Sequence, residues 1–190
     1  MAKHKAQNIA IGCGAALGIL MIVIFILDAI KITPYETYRD EQYGFQLKHP
    51  AYWSVYHDEK IPRFIVGFVT PKSSKFDLFQ ENLTITYEKI VKPGLTFRGF
   101  SKMAVDQMTG TFGKYMQVLE DKHMTLDGHP AHKFVHVGQV PGYKNQLKYV
   151  HIWVGRGKTV FVITFIGQTD EFEKNYKHAQ KMIRSFEFIE

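Results

Sequence analysis

The sequence predicts an α+β fold, a central antiparallel β-sheet flanked by helices in an α/β/α sandwich, after one N-terminal transmembrane helix. Three observations support this prediction. Residues 9–27 contain no charged side chain. Most of the chain after them consists of short segments rich in β-branched and aromatic residues, separated by turn residues. Two segments, 97–112 and 170–186, instead repeat their apolar residues at the period of a helix.

The uncharged run is long enough to cross a bilayer. At the α-helical rise its 19 residues span about 29 Å, which matches the hydrocarbon thickness of a membrane. Lys3 and Lys5 precede the run, and cationic residues tend to keep their flank cytoplasmic. We therefore expect a cytoplasmic N-terminus over residues 1–8, a transmembrane anchor over 9–29, and a single-pass cell-membrane protein whose C-terminal domain is extracytoplasmic.

A cleaved secretory signal is the alternative interpretation of this run. The apolar core of such a signal usually has about 7 to 15 residues and ends at a small-residue cleavage site. This run is longer, and residues 26–30 make a poor cleavage site. Cys13 lies in a loose lipid-attachment pattern, but it opens the apolar run instead of following it. An uncleaved anchor is therefore the favoured prediction.

The chain after the anchor has the size and charge of one ordinary domain. Residues 30–42 are mostly polar and contain Pro34, so they predict a short tether, with an extracytoplasmic domain over 43–190. From residue 33 onward, 21 Lys and Arg against 17 Asp and Glu leave a net charge of +4, too mild to indicate nucleic-acid binding. Since Cys13 is the only cysteine, a packed core must stabilise the domain without disulfides.

The predicted strands alternate with clear turn signals. The segments are 44–48, 53–56, 64–69, 82–88, 115–125, 131–137, 147–154 and 159–166. The segments 131–137 and 147–154 should pair as a hairpin around Gly142. The last segment is nearly all apolar or β-branched, so we expect it in the centre of the sheet. Consecutive strands with one helix in the middle and one at the end predict helices packed on the sheet.

Several motifs fall in an order that resembles the PsbP family, named for the extrinsic subunit of the photosystem II oxygen-evolving complex. They are Gly44-Phe45-x-Leu47-x-x-Pro50-x-x-Trp53-x-Val55, Val66-x-Phe68-x-x-Pro71, Leu126-x-Gly128-x-Pro130-Ala131, Phe161 to Phe165 with Asp170-x-Phe172, and Met182-Ile183-x-Ser185-Phe186. The resemblance covers about residues 43–188. It implies the fold shared with the Ran-binding Mog protein, in a membrane-anchored relative outside photosynthesis.

The resemblance implies a binding or assembly subunit without a catalytic motif. The family's flexible functional arm has no counterpart here, so no functional residue carries over. The sequence also lacks a Gly-x-Ser-x-Gly elbow, and no cysteine nucleophile lies outside the predicted anchor. We therefore expect no catalysis and no catalytic residue, with an extracytoplasmic hydrolase as the third hypothesis. Fold alone does not fix function.

Five histidines between residues 123 and 151 are the candidate metal ligands. His132 and His136 share a face of a predicted strand but lie about 13 Å apart along it, too far to bind one ion by themselves. If the hairpin turns around Gly142, His132 lies opposite His151, and Glu120 or His123 on a neighbouring strand could join them. His132, His136 and His151 therefore make a divalent metal the one cofactor to test, against the alternative of solvent-facing histidines.

Aromatic residues near loops are the candidate partner-binding residues. They are Tyr52, Tyr56, Phe76, Phe79 and Tyr143. Core packing is the alternative role for most of them. The sequence thus predicts a membrane-anchored binding or assembly module whose partner is another envelope protein, with no nucleic acid involved. A metal- or ligand-binding accessory domain on the histidine face is the second hypothesis.

Overall fold

The computed structural model describes residues 34–75, 79–139 and 145–190, and residues Tyr35–Glu190 form one compact unit. Its strands are β1 (Tyr35–Asp40), β2 (Phe45–Pro50), β3 (Ser54–Tyr56), β4 (Phe64–Val69), β5 (Asn82–Lys89), β6 (Met116–Leu126), β7 (His129–Gln139), β8 (Gln146–Arg156), β9 (Thr159–Gln168) and β10 (Glu187–Phe188). Its helices are α1 (Phe97–Phe112) and α2 (Phe172–Arg184), and a 3₁₀ turn over Gly113–Tyr115 leads from α1 into β6.

Seven strands form the main antiparallel sheet, in the order β3-β4-β5-β9-β8-β7-β6. The near-continuous apolar strand β9 is the fourth of the seven, as its sequence predicts, because only a strand covered on both faces can be apolar on both. β7 and β8 pair as the predicted hairpin, and β6 is the edge strand beside β7.

The two helices cover opposite faces of this sheet. Alternate residues of β9 separate into two cores: Phe161, Ile163 and Phe165 pack with α2, whereas Val160 and Val162 pack with α1. On the α1 face the buried residues Phe134 and Trp153 meet apolar side chains of the helix. The helix–sheet–helix arrangement is therefore the predicted sandwich, and α1 begins and ends at the predicted residues.

A second small sheet corrects the predicted tether. β2 lies between β1 and β10, and all six residues of β1 pair with β2. The prediction of a tether over 30–42 is therefore wrong for residues 35–40, which belong to the folded unit. The polar sequence of residues 35–40 gave no strand signal, because β1 is an edge strand held by main-chain pairing. Of its side chains, only that of Tyr38 packs against the main core.

The predicted anchor over residues 9–29 lies outside the described part of the chain. Within residues 34–75, 79–139 and 145–190, no helix has the length and apolar character needed to span a bilayer.

Candidate functional site

The α1 face of the sheet carries a ladder of nearly parallel rings. Along β8, the ring centroids of Tyr149 and His151 lie 6.0 Å apart and those of His151 and Trp153 lie 6.1 Å apart, with interplanar angles of 10° and 9°. On the neighbouring strand β7, His136 stacks on Tyr149 with centroids 4.6 Å apart. Side chains on one face of adjacent strands stand side by side, which is why these rings line up.

His136 and His151 form a hydrogen-bonded pair within this ladder. Their Nε2 atoms are 3.2 Å apart, and His151 Nδ1 is 3.0 Å from Thr164 Oγ1 on β9. His136 Nδ1 is buried and has no hydrogen-bond partner. Burial lowers the pKa of His136 to about 4, and burial together with the neighbouring His136 lowers the pKa of His151 to about 3. Both rings are therefore neutral at physiological pH.

A cavity opens beside this histidine pair, where α1 ends. It has a volume of about 470 Å³, within the range of small-molecule pockets. Its walls come from the end of α1, the start of β6 and the ring ladder, and its principal lining residues are Met108, Phe112, Tyr115, His136, Tyr149 and His151. The described residues that line it include no charged side chain, since both histidines are neutral.

A second, polar cluster lies near the other end of α1. His132 Nε2 is 2.7 Å from Asp121 Oδ1, and the side chain of His132 is 5% exposed. The ring of His123, which lies directly opposite His132 on β6, is 4.5 Å from it. Together with Arg98 and Lys102 of α1, these residues line a polar cleft.

The structure corrects the predicted histidine arrangement. His132 lies opposite Trp153, and His151 lies opposite Phe134, so the prediction that His132 faces His151 is wrong by two residues. Because side chains alternate with a period of two, this shift keeps His132, His136 and His151 on one face but joins His151 to His136. His132 belongs instead to the Asp121 cluster.

Of the two residues predicted to join the histidines, only one contacts a histidine of the site. The ring of His123 contacts that of His132, whereas the Glu120 carboxylate forms ion pairs with Lys122 and Lys133 instead. Among the residues that the structure describes, no group of three His, Cys, Asp or Glu side chains is arranged to hold one metal ion.

The three predicted partner-binding aromatics within the described residues do not form one surface. Tyr52 and Phe79 line a cleft of about 200 Å³ near the start of α2. Tyr56 stacks on Phe64 and covers Gly67, on the α1 face of the sheet. Phe76 and Tyr143 lie outside the described residues.

The structure instead exposes a group of large apolar side chains near the end of α1 that sequence reasoning missed. Phe112, Tyr115, Val118 and Leu119, here called the 112–119 patch, are 43–55% exposed. Val118 and Leu119 are consecutive, and the β6–β7 register shifts at this point. Two adjacent large apolar residues, Val118 and Leu119, within one predicted strand were the available signal, because a regular edge strand can bury only one of them.

Solved structures share this fold at low sequence identity. CyanoP, the cyanobacterial PsbP of Synechocystis sp. PCC 6803, is 13% identical, with a TM-score of 0.57 over 84% of this chain and 95% of CyanoP. LpqN, involved in cell envelope biogenesis of Mycobacterium tuberculosis, is 14% identical, with a TM-score of 0.56 over 87% and 97%. The Ran-binding protein Mog1p of Saccharomyces cerevisiae is 12% identical, with a TM-score of 0.54 over 83% and 97%.

The structural similarity shows the fold that the resemblance implied, whereas identities this low do not show a shared activity. No curated protein matches the sequence. The sequence model of the PsbP-like proteins matches residues 28–188, which is nearly the whole compact unit. The chain therefore belongs to the PsbP-like protein family.

Proposed function

We propose that the chain is a non-catalytic binding module, held at the outer face of a cell membrane by residues 9–29, that docks an envelope protein through the 112–119 patch. The observation that carries the docking surface is the exposure of these four large apolar side chains within eight consecutive residues. Large apolar side chains exposed close together in the chain are typical of interaction sites.

The geometry of the patch suits a protein partner. It runs from the end of α1 into the edge strand β6, whose outer side has no pairing strand within the described sheet. An edge strand can accept an extended segment by main-chain hydrogen bonds, and neighbouring apolar side chains then supply the specificity. Related folds give precedent for partner binding, since Mog1p binds Ran, and LpqN gives precedent for a role in the cell envelope.

Site-directed photocrosslinking of the full chain in its native membrane tests the docking surface. A photoreactive residue at Leu119 should capture one defined envelope protein, and Val118→Lys should abolish this adduct. The same probe at Val91, which is 84% exposed and lies outside the patch, is the control. Capture of the same proteins from both positions would contradict the proposal.

Membrane attachment has a separate test. The full chain should stay with the membrane pellet after alkaline extraction, and protease added outside the cytoplasmic membrane should digest its C-terminal domain. A chain beginning at Pro34 should leave the pellet. Release of the full chain by alkali would contradict the anchor and leave the docking surface to be judged by crosslinking.

A second candidate function is ligand binding on the histidine face, and the cavity beside His136 and His151 favours it. A divalent metal is one ligand to test, because the sequence points to His132, His136 and His151. Titration of the full chain with zinc or manganese should then give a saturable thermal shift that the double substitution His136→Gln, His151→Gln abolishes. The absence of a shift would exclude the metal.

A further inference from the structure

The ring ladder on the α1 face has a gap at Gly138. Phe134, His136 and Gly138 follow one another on the same face of β7, so Gly138 occupies the next position of the ladder and has no side chain. A Cβ atom placed there would lie 3.8 Å from His136 Nδ1, 3.8 Å from the Tyr149 ring and 3.6 Å from the Tyr115 carbonyl oxygen. These are ordinary contact distances, so a Cβ atom fits in the gap, and further atoms would extend into the 470 Å³ cavity that Gly138 lines.

One polar atom faces this gap without a partner. His136 is 7% exposed, and its Nδ1 is buried and unpaired, on the side of the ring nearest to Gly138. An unpaired buried polar atom destabilises the folded chain, so a group that pairs with it gains binding free energy.

The role of this atom in hydrogen bonding follows from the tautomer of His151. If His151 Nδ1 donates to Thr164 Oγ1, then His151 Nε2 accepts from His136 Nε2, and His136 Nδ1 is left as an acceptor. The Tyr115 carbonyl oxygen, also an acceptor, lies on the other side of the same gap. Two acceptors around one gap suit a ligand that carries an N–H or O–H donor.

The rest of the cavity selects against charge and for a flat ring. No charged side chain is among its described lining residues, so a charged ligand would lose its hydration without a counter-ion. The rings of His136 and Tyr149 are within 11° of parallel, and their stack ends at Gly138. A planar ring fits that end better than an aliphatic chain because it can continue the stack.

We propose that this cavity binds an uncharged aromatic molecule of the phenol or indole class, with its ring stacked beside His136 and Tyr149 over Gly138 and its O–H or N–H donated to His136 Nδ1. This inference rests on the second proposed function, ligand binding on the histidine face, and names its ligand class.

Calorimetric titration of the full chain in lipid nanodiscs tests the ligand class. The probes are phenol, indole, cyclohexanol and benzoate. Phenol and indole should bind saturably at one site. Cyclohexanol, which keeps the hydroxyl group but loses the ring, and benzoate, which keeps the ring but is charged, should each bind at least tenfold more weakly.

Gly138→Val provides the site-specific variant. It fills the gap with a β-branched side chain that favours a strand, so the variant should keep or raise the melting temperature while losing phenol and indole binding. Gly110→Ala adds a methyl group where nothing lies within 4 Å, and this control should bind like the parent chain.

The outcomes distinguish a failure of the aromatic ligand class from a failure of ligand binding on the histidine face. Equal binding of cyclohexanol and phenol, or tighter binding of benzoate, with both lost in Gly138→Val, would overturn the aromatic class and leave ligand binding in place. Phenol binding that persists in Gly138→Val would overturn the site. If no probe binds the parent chain, the aromatic inference fails, and the metal titration then decides the ligand-binding function by itself.

Discussion

His136 and His151 face each other across β7 and β8 with their Nε2 atoms 3.2 Å apart, and both are neutral in the folded chain. This contact joins the centre of the sheet to a cavity wall, because His151 also bonds Thr164 on β9. Because the pKa values of both histidines are lowered in the folded chain, we expect the stability of the domain to depend on pH.

Acid should destabilise the domain through this pair. The folded pKa values, about 4 for His136 and about 3 for His151, lie below the ordinary value of 6.5, so the unfolded chain binds protons that the folded chain does not. The free energy of unfolding should therefore be independent of this pair above pH 6.5. Below that pH it should fall by up to about 1.4 kcal/mol per pH unit for each histidine.

Chemical denaturation of the parent chain between pH 7.5 and pH 4.5 measures this slope. The double substitution His136→Phe, His151→Phe should flatten it, whereas the exposed control His123→Gln should keep it. An equal slope in the parent and the double variant would show that other groups cause the acid sensitivity.

Loss of the Asp121 carboxylate should destabilise the fold through His132. Asp121→Ala removes the hydrogen-bond partner of a histidine whose side chain is 5% exposed and whose other ring nitrogen already has no partner. Because Asp121 is half exposed, water can replace part of the bond, and we expect the lower end of about 1–3 kcal/mol.

Asp106→Ala is the matched control for this variant. It breaks an exposed ion pair with Lys102 and should change the free energy of unfolding by less than about 0.5 kcal/mol. Equal costs for the two substitutions would mean that the Asp121–His132 contact has no special role.

Close packing between α1 and β8 should make Gly155 intolerant of a side chain. A Cβ atom at Gly155 would lie 2.7 Å from the Phe97 ring, so Gly155→Ala must displace this ring, which belongs to the first residue of α1, at a cost of about 1–3 kcal/mol. The smaller side chain in Phe97→Leu should relieve part of this cost, and urea unfolding of the two single variants and the double variant measures the coupling.

Gly110→Ala is the control, because Gly110 lies in the same helix as Phe97 and its added Cβ atom would have no neighbour within 4 Å. It should stabilise the chain by about 0.5–1 kcal/mol. Strict additivity of Gly155→Ala and Phe97→Leu would contradict the steric explanation.

The strand that replaces the predicted tether should matter for stability. A chain beginning at Tyr43 lacks β1, and with it the ring of Tyr38 that packs 5.5 Å from Phe68 and 6.1 Å from Phe45. It should melt several degrees below a chain beginning at Pro34, since about 1 kcal/mol changes the melting temperature of a domain of this size by about 2–4 °C. Equal melting temperatures would show that β1 contributes little to the stability of the domain.

The sequence by itself determined the α+β class, both helices, the central place of β9 and the β7–β8 hairpin. Each depends on a local period or a turn signal, and such signals are written in neighbouring residues. It also placed His132, His136 and His151 on one face, because a period of two survives a two-residue error in register.

Only the tertiary structure decided which of these histidines meet. Register is fixed by the packing of whole strands, so the pairing of His136 with His151, and of His132 with Asp121, could not be obtained from spacing. The same holds for β1, whose polar residues are held by pairing with β2, and for the cavity over Gly138, whose walls come from α1, β6, β7 and β8. Contacts between residues distant in the chain form these features, and no local pattern records them.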